Sequence, residues 1–216
     1  MNSASLLPGY LVKRYRGWRA TEYSENRSWY RHLASEGQHP RAMVVTCCDS
    51  RINVSNLFEA DSGEIFLYRN IANAVPPRNA ENQQHGAPAA VEYAVNVLKV
   101  AHLVIIGHSS CGGVKGCHDM CAGKAPALEA PDSLLGRWLD HLRPAYERTE
   151  EHADPDARLR AMEKEAVLVS LENLTSYDFI SEAVKAERLT LHGLWVDIAT
   201  GSLEQYDPAE GGFRAI

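Results

Sequence analysis

Three short runs of almost unbroken apolar residues, AMVVTC at 42–47, EIFLYRN at 64–70 and HLVIIGH at 102–108, constrain this chain more than any other feature. Each has the length of a strand, and none shows the strict alternation of a strand with one face in water. They read as strands buried on both faces, which is the habit of a parallel sheet. Parallel neighbours need long crossovers, and APAAVEYAVNVLKV, between the second and third runs, supplies a helix for one of them. Residues 133–148 and 158–186 read as further helices, LTLHGLWVDI as a fourth strand, ATGS as a turn and LEQY as a short last strand. The expectation is an α/β fold: a central, mainly parallel sheet of four strands with a short antiparallel edge strand, flanked by helices.

Residues 10–36 read as helical, with Leu11, Tyr15 and Trp18 along one face and Trp29, Tyr30 and Leu33 in a second apolar group. Their basic residues are mixed with Glu22 and Glu25, so the segment 1–37 is expected to be an amphipathic arm on a single domain spanning 1–216. It would pack on the body or on a partner subunit rather than on nucleic acid. A net charge of −6 also argues against a general nucleic-acid binder, since only residues 1–40 are basic, with six Lys/Arg against three Asp/Glu. No apolar run approaches the roughly 18 residues needed to cross a bilayer. The charged N-terminal stretch MNSASLLPGYLVKRYRG lacks the apolar core of an export signal, so a cytoplasmic protein with no membrane partner is expected.

Five cysteines, at 47, 48, 111, 117 and 121, crowd the middle third in an odd number. That pattern suits a reducing compartment and a metal or catalytic role better than a disulfide framework. In open α/β sheets, ligands bind beyond the carboxyl ends of the strands. AMVVTC ends at Cys47, and HLVIIGH ends at His108 and leads to Cys111, so three thiol and imidazole ligands converge on one sheet edge. Zinc prefers such ligands, and three protein ligands leave a fourth position open for catalysis. Strand alternation puts Cys47 and Asp49 on one side, leaving Cys48 as a small buried hydrophobe behind the site. Cys117 and Cys121, with His118 between them, lack an obvious fourth ligand and are expected to pack or lie at the surface. His102 reads as a satisfied core or interface histidine, whereas His85, His141, His152 and His192 have no ligand spacing. A dinucleotide enzyme is disfavoured, because no G-x-G-x-x-G follows the first strand.

Cys47-Cys48-Asp49-Ser50-Arg51 and His108-Ser109-Ser110-Cys111-Gly112-Gly113 resemble the two signatures of the β-class carbonic anhydrases, Cys-x-Asp-Ser-Arg and His-x-x-Cys-Gly-Gly. YRNIANAVPP, AVEYAVNVLKVAHLVIIGH and LHGLWVDIATG resemble other segments of that family. The likeness is clear over 38–116 and 165–203 and loose elsewhere. It implies a Zn²⁺ cofactor on Cys47, His108 and Cys111 with water or hydroxide in the fourth position, hydrating carbon dioxide reversibly to bicarbonate and a proton. It further implies catalytic roles for Asp49 and Arg51, with Asp49 paired to Arg51 when the site is open and swung onto zinc when it is closed. Val44, where closing members commonly have tryptophan, and Gln38, nine residues before Cys47, make the chain resemble the open subgroup. Gln38, Phe66, Ile71, Tyr93 and the Gly112 backbone would line the substrate pocket, at the interface of a homodimer or a dimer-based larger oligomer. Relatives that hydrolyse carbonyl sulfide or carbon disulfide share these residues. A zinc-stabilised binding protein, with Asp49 as fourth ligand, is the alternative outside enzymes.

Overall fold

The computed structural model describes residues 4–79 and 86–216; His85 lies outside them. The chain divides into two compact units, Met1–Gln38 and His39–Ile216.

The first unit contains α1 (Gly9–Ala20), α2 (Glu22–Glu25) and α3 (Arg27–Glu36) where one helix over 10–36 was expected. The breaks fall at Thr21, whose φ of −109° and ψ of −94° leave the helical region, and at Asn26. Both are residues whose short polar side chains compete with helical backbone bonds. Here the Thr21 hydroxyl donates to the Gly17 carbonyl and the Asn26 amide to the Glu22 carbonyl. The turns let Trp18 pack against Tyr15, Tyr23 and Tyr30, with ring centroids 5.4–6.2 Å apart.

The second unit opens with β1 (Ala42–Cys47), then α4 (Val54–Leu57), β2 (Ile65–Asn70), α5 (Gly86–Glu92) and β3 (His102–His108). Next come α6 (Gly112–Cys121), α7 (Pro126–Glu129), α8 (Leu134–Leu139), α9 (Arg143–Glu147), α10 (Pro155–Thr175) and α11 (Asp178–Lys185). The hairpins of β4 (Thr190–Val196), β5 (Leu203–Asp207) and β6 (Gly212–Ala215) complete it. The sheet runs β2-β1-β3-β4-β5-β6, parallel through β4 and antiparallel beyond.

The parallel strands match the expectation; the edge does not. β6 makes the sheet six-stranded and turns β5 from an edge into an interior strand. GFRA is too short to announce itself by pattern, but Gly211, with φ of +67°, closes the turn that returns it onto β5. The expected helix over 158–186 begins earlier, where Asp154 accepts the Ala157 amide and Pro155 fills the first turn. It breaks before α11 because Tyr177 is extended. Residues 133–148 split likewise into α8, a 3₁₀ turn over 140–142 and α9.

Met43, Val45, Leu103 and Ile105 face one side of the sheet, under Val91, Val167, Leu174 and Ile180 from α5, α10 and α11. Val44, Ile106, Leu194 and Val196 face the other side, with Ile52 and Val54 from the α4 region. A third cluster, contributed by α6, α8, α9 and α10, wraps Cys47 and Cys111. Those two residues are where the core meets the sheet's carboxyl edge.

Candidate metal centre

β1 and β3 lie side by side in parallel register, so their carboxyl ends deliver Cys47 and His108 to the same place. After His108 the chain reverses through Ser110, whose φ of +56° is left-handed, and enters α6 with Cys111 at its N-cap. Cys47, His108 and Cys111 are 5%, 1% and 2% exposed, and their ligand atoms all lie within 4.8 Å of one another. Among the described residues this is the one group of three or more such side chains that converges on a point.

The neighbouring backbone prepares these atoms for a cation. The backbone at Asp49 and Ala72 favours the thiolate of Cys47, and that at Val114 and Gly113 the thiolate of Cys111. Ala72 reaches its position through a left-handed φ of 61°. The two sulfurs are 3.9 Å apart. The hydrogen bond between them outweighs burial at Cys47 and pulls its thiol below the usual range, while the same bond and then burial push Cys111 up. His108 Nδ1 lies 2.9 Å from the Ser109 carbonyl, which fixes the proton there and leaves Nε2 as the free lone pair. Nε2 is buried without a hydrogen-bond partner. An orphaned imidazole nitrogen and two sulfurs at one point are the donor set of a soft or borderline metal, and three protein ligands leave one position open.

Asp49 stands beside this set, with Oδ2 3.9 Å from His108 Nε2. Arg51 holds its carboxylate in a fork: Nε donates to Oδ1 at 2.9 Å and Nη2 to Oδ2 at 2.6 Å, while the Arg51 amide also donates to Oδ1 at 3.0 Å. This pairing keeps the Asp49 carboxyl well below the usual carboxylate range. Arg51 Nη2 also donates to the Ser110 carbonyl, 3.0 Å away. From β2, Arg69 donates to the carbonyls of Cys47 at 3.0 Å and Asp49 at 2.7 Å. Two guanidinium groups thus tie the loop after β1 to the loop after β3 and to strand β2.

The expected pocket residues divide. Phe66 and Tyr93 stack with centroids 5.8 Å apart, and Ile71 lies against the first turn of α6, where a Cβ at Gly113 would come within 2.8 Å of its Cγ2. Ile71 and Tyr93 are nevertheless 40% and 45% exposed. Gly112, at the first position of α6, is exposed, and Gln38 belongs to the first unit.

Cys48 corrects the sequence reading: it is exposed rather than buried behind the site. β1 ends at Cys47, so the alternation of a strand no longer governs residue 48, whose amide donates to the Asn70 carbonyl at 2.8 Å. Cys117 is buried and Cys121 half-buried, with sulfurs 4.0 Å apart and, among the described residues, no third ligand atom converging on them. His102 is half-buried at the opposite end of β3, bonded to Thr190 Oγ1 at 2.7 Å. Two groups escaped the sequence reading. Arg69 and Glu163 both bond the backbone of ligand-bearing loops; Arg69 stands in the YRNIANAVPP segment without a role assigned to it, and Glu163 lies in no recognisable motif.

The carbonic anhydrase family model matches residues 42–203. The chain is 34% identical to β carbonic anhydrase 3 of Arabidopsis thaliana over 193 residues, 88% of this chain and 73% of that one. It is 35% identical to a carbonic anhydrase of Pseudomonas aeruginosa over 196 residues, covering 90% and 85% of the two chains. Among solved structures, the β-carbonic anhydrase CcaA superposes with a TM-score of 0.88 at 30% identity, covering 96% of this chain and 91% of that one. A tetrameric β-carbonic anhydrase of Sordaria macrospora gives 0.74 at 28% identity, with 91% and 94% covered. Sequence, fold and the cysteine-histidine edge of the sheet agree: the chain belongs to the β-class carbonic anhydrases.

Proposed function

We propose that this chain catalyses the reversible hydration of carbon dioxide with Zn²⁺ held by Cys47, His108 and Cys111. The observation that carries the reading is the convergence of two buried sulfurs and an unpartnered His108 Nε2 beside a carboxylate that Arg51 holds. Zn²⁺ in such a site lowers the pKa of a bound water from about 16 to about 7 and supplies a nucleophile at neutral pH.

The chain's own residues do the rest. Asp49, kept ionised by Arg51, accepts a hydrogen bond from the nucleophile at a carboxylate oxygen and so orients the nucleophile's lone pair toward carbon. Arg51 fixes that carboxylate relative to the Cys111 loop through the Ser110 carbonyl. Carbon dioxide is uncharged, so its pocket should be apolar with few donors. Phe66, Ile71 and Tyr93 provide the walls, with Gln38 and the Gly112 amide as donors to the oxygen that gains charge. The exposure of Ile71 and Tyr93 supports a site completed by a second subunit, in a homodimer or a dimer-based larger oligomer. The helices of Met1–Gln38 are the arm that would pack on that partner. A cytoplasmic location fits five cysteines without a disulfide and the lack, among the described residues, of a helix long and apolar enough to cross a membrane.

The test is carbon dioxide hydration measured across pH, with zinc content determined on the same sample. Hydration near neutral pH with one zinc per chain supports the reading. Hydration no faster than the uncatalysed rate overturns it, and turnover of carbonyl sulfide or carbon disulfide instead reassigns the substrate. Activity that appears only above about pH 8, with zinc already bound, would put Asp49 on the metal.

A further inference from the structure

Glu163 is a carboxylate where an apolar residue is expected. It is 6% exposed, on the stripe of α10 that carries Val167, Ser170 and Leu174 inward. Burying a carboxylate is costly unless hydrogen bonds compensate it. The compensation lies in the ligand loop: the Cys111 amide donates to Glu163 Oε1 at 3.2 Å. Cys111 is the N-cap of α6, so its amide has no partner within the helix. In a residue only 2% exposed, that donor would otherwise be buried without a partner.

The placement of Glu163 is built into the packing of α10. A Cβ at Gly107 would come within 2.6 Å of Val167 Cγ2 and 3.3 Å of the Glu163 carbonyl, and one at Gly193 within 3.0 Å of Val167 Cγ1. Two glycines on adjacent strands therefore let α10 sink onto the sheet at Val167. Glu163, one helical turn earlier, reaches past the end of β3 to the loop that follows. Two successive peptides of that loop are then anchored: the first at the Ser109 carbonyl by His108 Nδ1 at 2.9 Å, the second at both ends, its Ser110 carbonyl by Arg51 at 3.0 Å and its Cys111 amide by Glu163. Ser110 needs such support, because a left-handed φ outside glycine persists only where the surroundings over-determine it.

We propose that Glu163 is the positioning residue of the metal centre, which holds the Cys111 sulfur in its ligating place by accepting the Cys111 amide. It touches neither substrate nor metal and acts through Cys111. The inference rests on the reading that Cys111 is a zinc ligand.

Three variants test it. Glu163→Leu removes the acceptor, Glu163→Asp withdraws it by one methylene, and Glu163→Gln keeps a carbonyl oxygen in its place. Zinc release to a chelator, the sulfur-to-metal absorption of the Co²⁺-substituted protein, and amide exchange at Cys111 in the metal-free protein are measured, with urea midpoints as the control. Loss of an outer group that orients a metal ligand costs about 10- to 100-fold in metal affinity, and Glu163→Leu should release zinc faster by that factor. It should also shift the Co²⁺ band and unprotect the Cys111 amide, whereas Glu163→Gln stays within about threefold of the parent. If Glu163→Leu does not fold, Glu163→Asp decides by the same readings. Parental zinc release with a protected Cys111 amide in the Leu or Asp variant overturns the inference, as does a Gln variant that behaves like Leu. Cys111→Ser separates the underlying reading: full zinc occupancy in that variant would sink the ligand assignment whatever Glu163 does.

Discussion

Gly107→Ala tests how far the site depends on the seating of α10. The φ of Gly107 is not in the left-handed region, so an alanine there meets no backbone penalty and its cost is steric alone. The added Cβ would lie 2.6 Å from Val167 Cγ2, more than 1 Å inside ordinary carbon–carbon contact, with the Glu163 carbonyl at 3.3 Å and Trp195 Cδ1 at 3.6 Å behind it. Val167 cannot turn away cheaply, because a β-branched residue in a helix has essentially one χ1 rotamer, and its other methyl fills the space above Gly193. The helix must therefore lift from the strand. Overpacking of this kind costs about 1–3 kcal/mol, which in a chain of this size lowers the melting temperature by about 2–12 °C.

Because Gly107 precedes His108 and α10 carries Glu163, the displacement should reach the ligands as well as the core. Calorimetry or urea unfolding at fixed protein concentration gives the stability, and chelator-driven zinc release gives the effect on the site. Val167→Ala in the same chain supplies the control: it removes the methyl that collides, so the double variant should be at least about 0.5 kcal/mol more stable than the sum of the two single changes. A Gly107→Ala protein as stable as its parent, or strict additivity with Val167→Ala, would refute the account of α10 packing.

Arg51→Lys keeps the charge but loses the fork that grips both Asp49 oxygens and the Ser110 carbonyl, so kcat/KM for hydration should fall about 10- to 100-fold with zinc content unchanged. Stopped-flow hydration beside metal analysis checks this, and parental activity would contradict it. Cys48→Ser should leave zinc content and hydration as they are, whereas Cys47→Ser should lose metal, since only Cys47 faces the cluster. His192 is exposed as a residue, yet desolvation of its ring, and then the charge of His102, lower its pKa below the ordinary value near 6.5. The unfolded chain then binds the extra proton first, so this contribution is complete above about pH 6.5 and fades as pH falls below it. Urea midpoints between pH 8 and 5.5 should show a shallower decline in His192→Gln than in the parent.

The ligands were legible because each sits where a strand pattern stops: AMVVTC and HLVIIGH end in Cys47 and His108, and the parallel sheet brings those ends together. The same alternation could give Cys48 a side of the strand but not its burial, and one residue beyond β1 that thiol is exposed. Glu163 was hidden for another reason. It stands 52 residues from Cys111 in sequence, in a helix with charges of both signs, where a carboxylate reads as a solvated face. Only the glycines at 107 and 193 hinted that a helix would press so close, and an isolated glycine in a strand does not say which neighbour needs the space. β6 and the breaks at Thr21 and Asn26 were lost to length: four residues or one turn carry too little pattern to outweigh their surroundings.

Whether Asp49 orients a nucleophile or takes its place is decided by restraint more than by reach. Its Oδ2 is 3.9 Å from His108 Nε2, and taking the nucleophile's place would require the carboxylate to rotate toward the proposed ligands. Against that rotation stand two Arg51 side-chain bonds and the Arg51 amide, while Arg69 pins the carbonyl of the same residue. Asp49 is held at both ends by arginines that also fix the loops carrying the ligands. Protonation does not release it either: Arg51 keeps the carboxyl far below the usual range, so it stays ionised through all ordinary working pH. On the proposed reading, an Asp49 that takes the nucleophile's place must first leave the Arg51 fork.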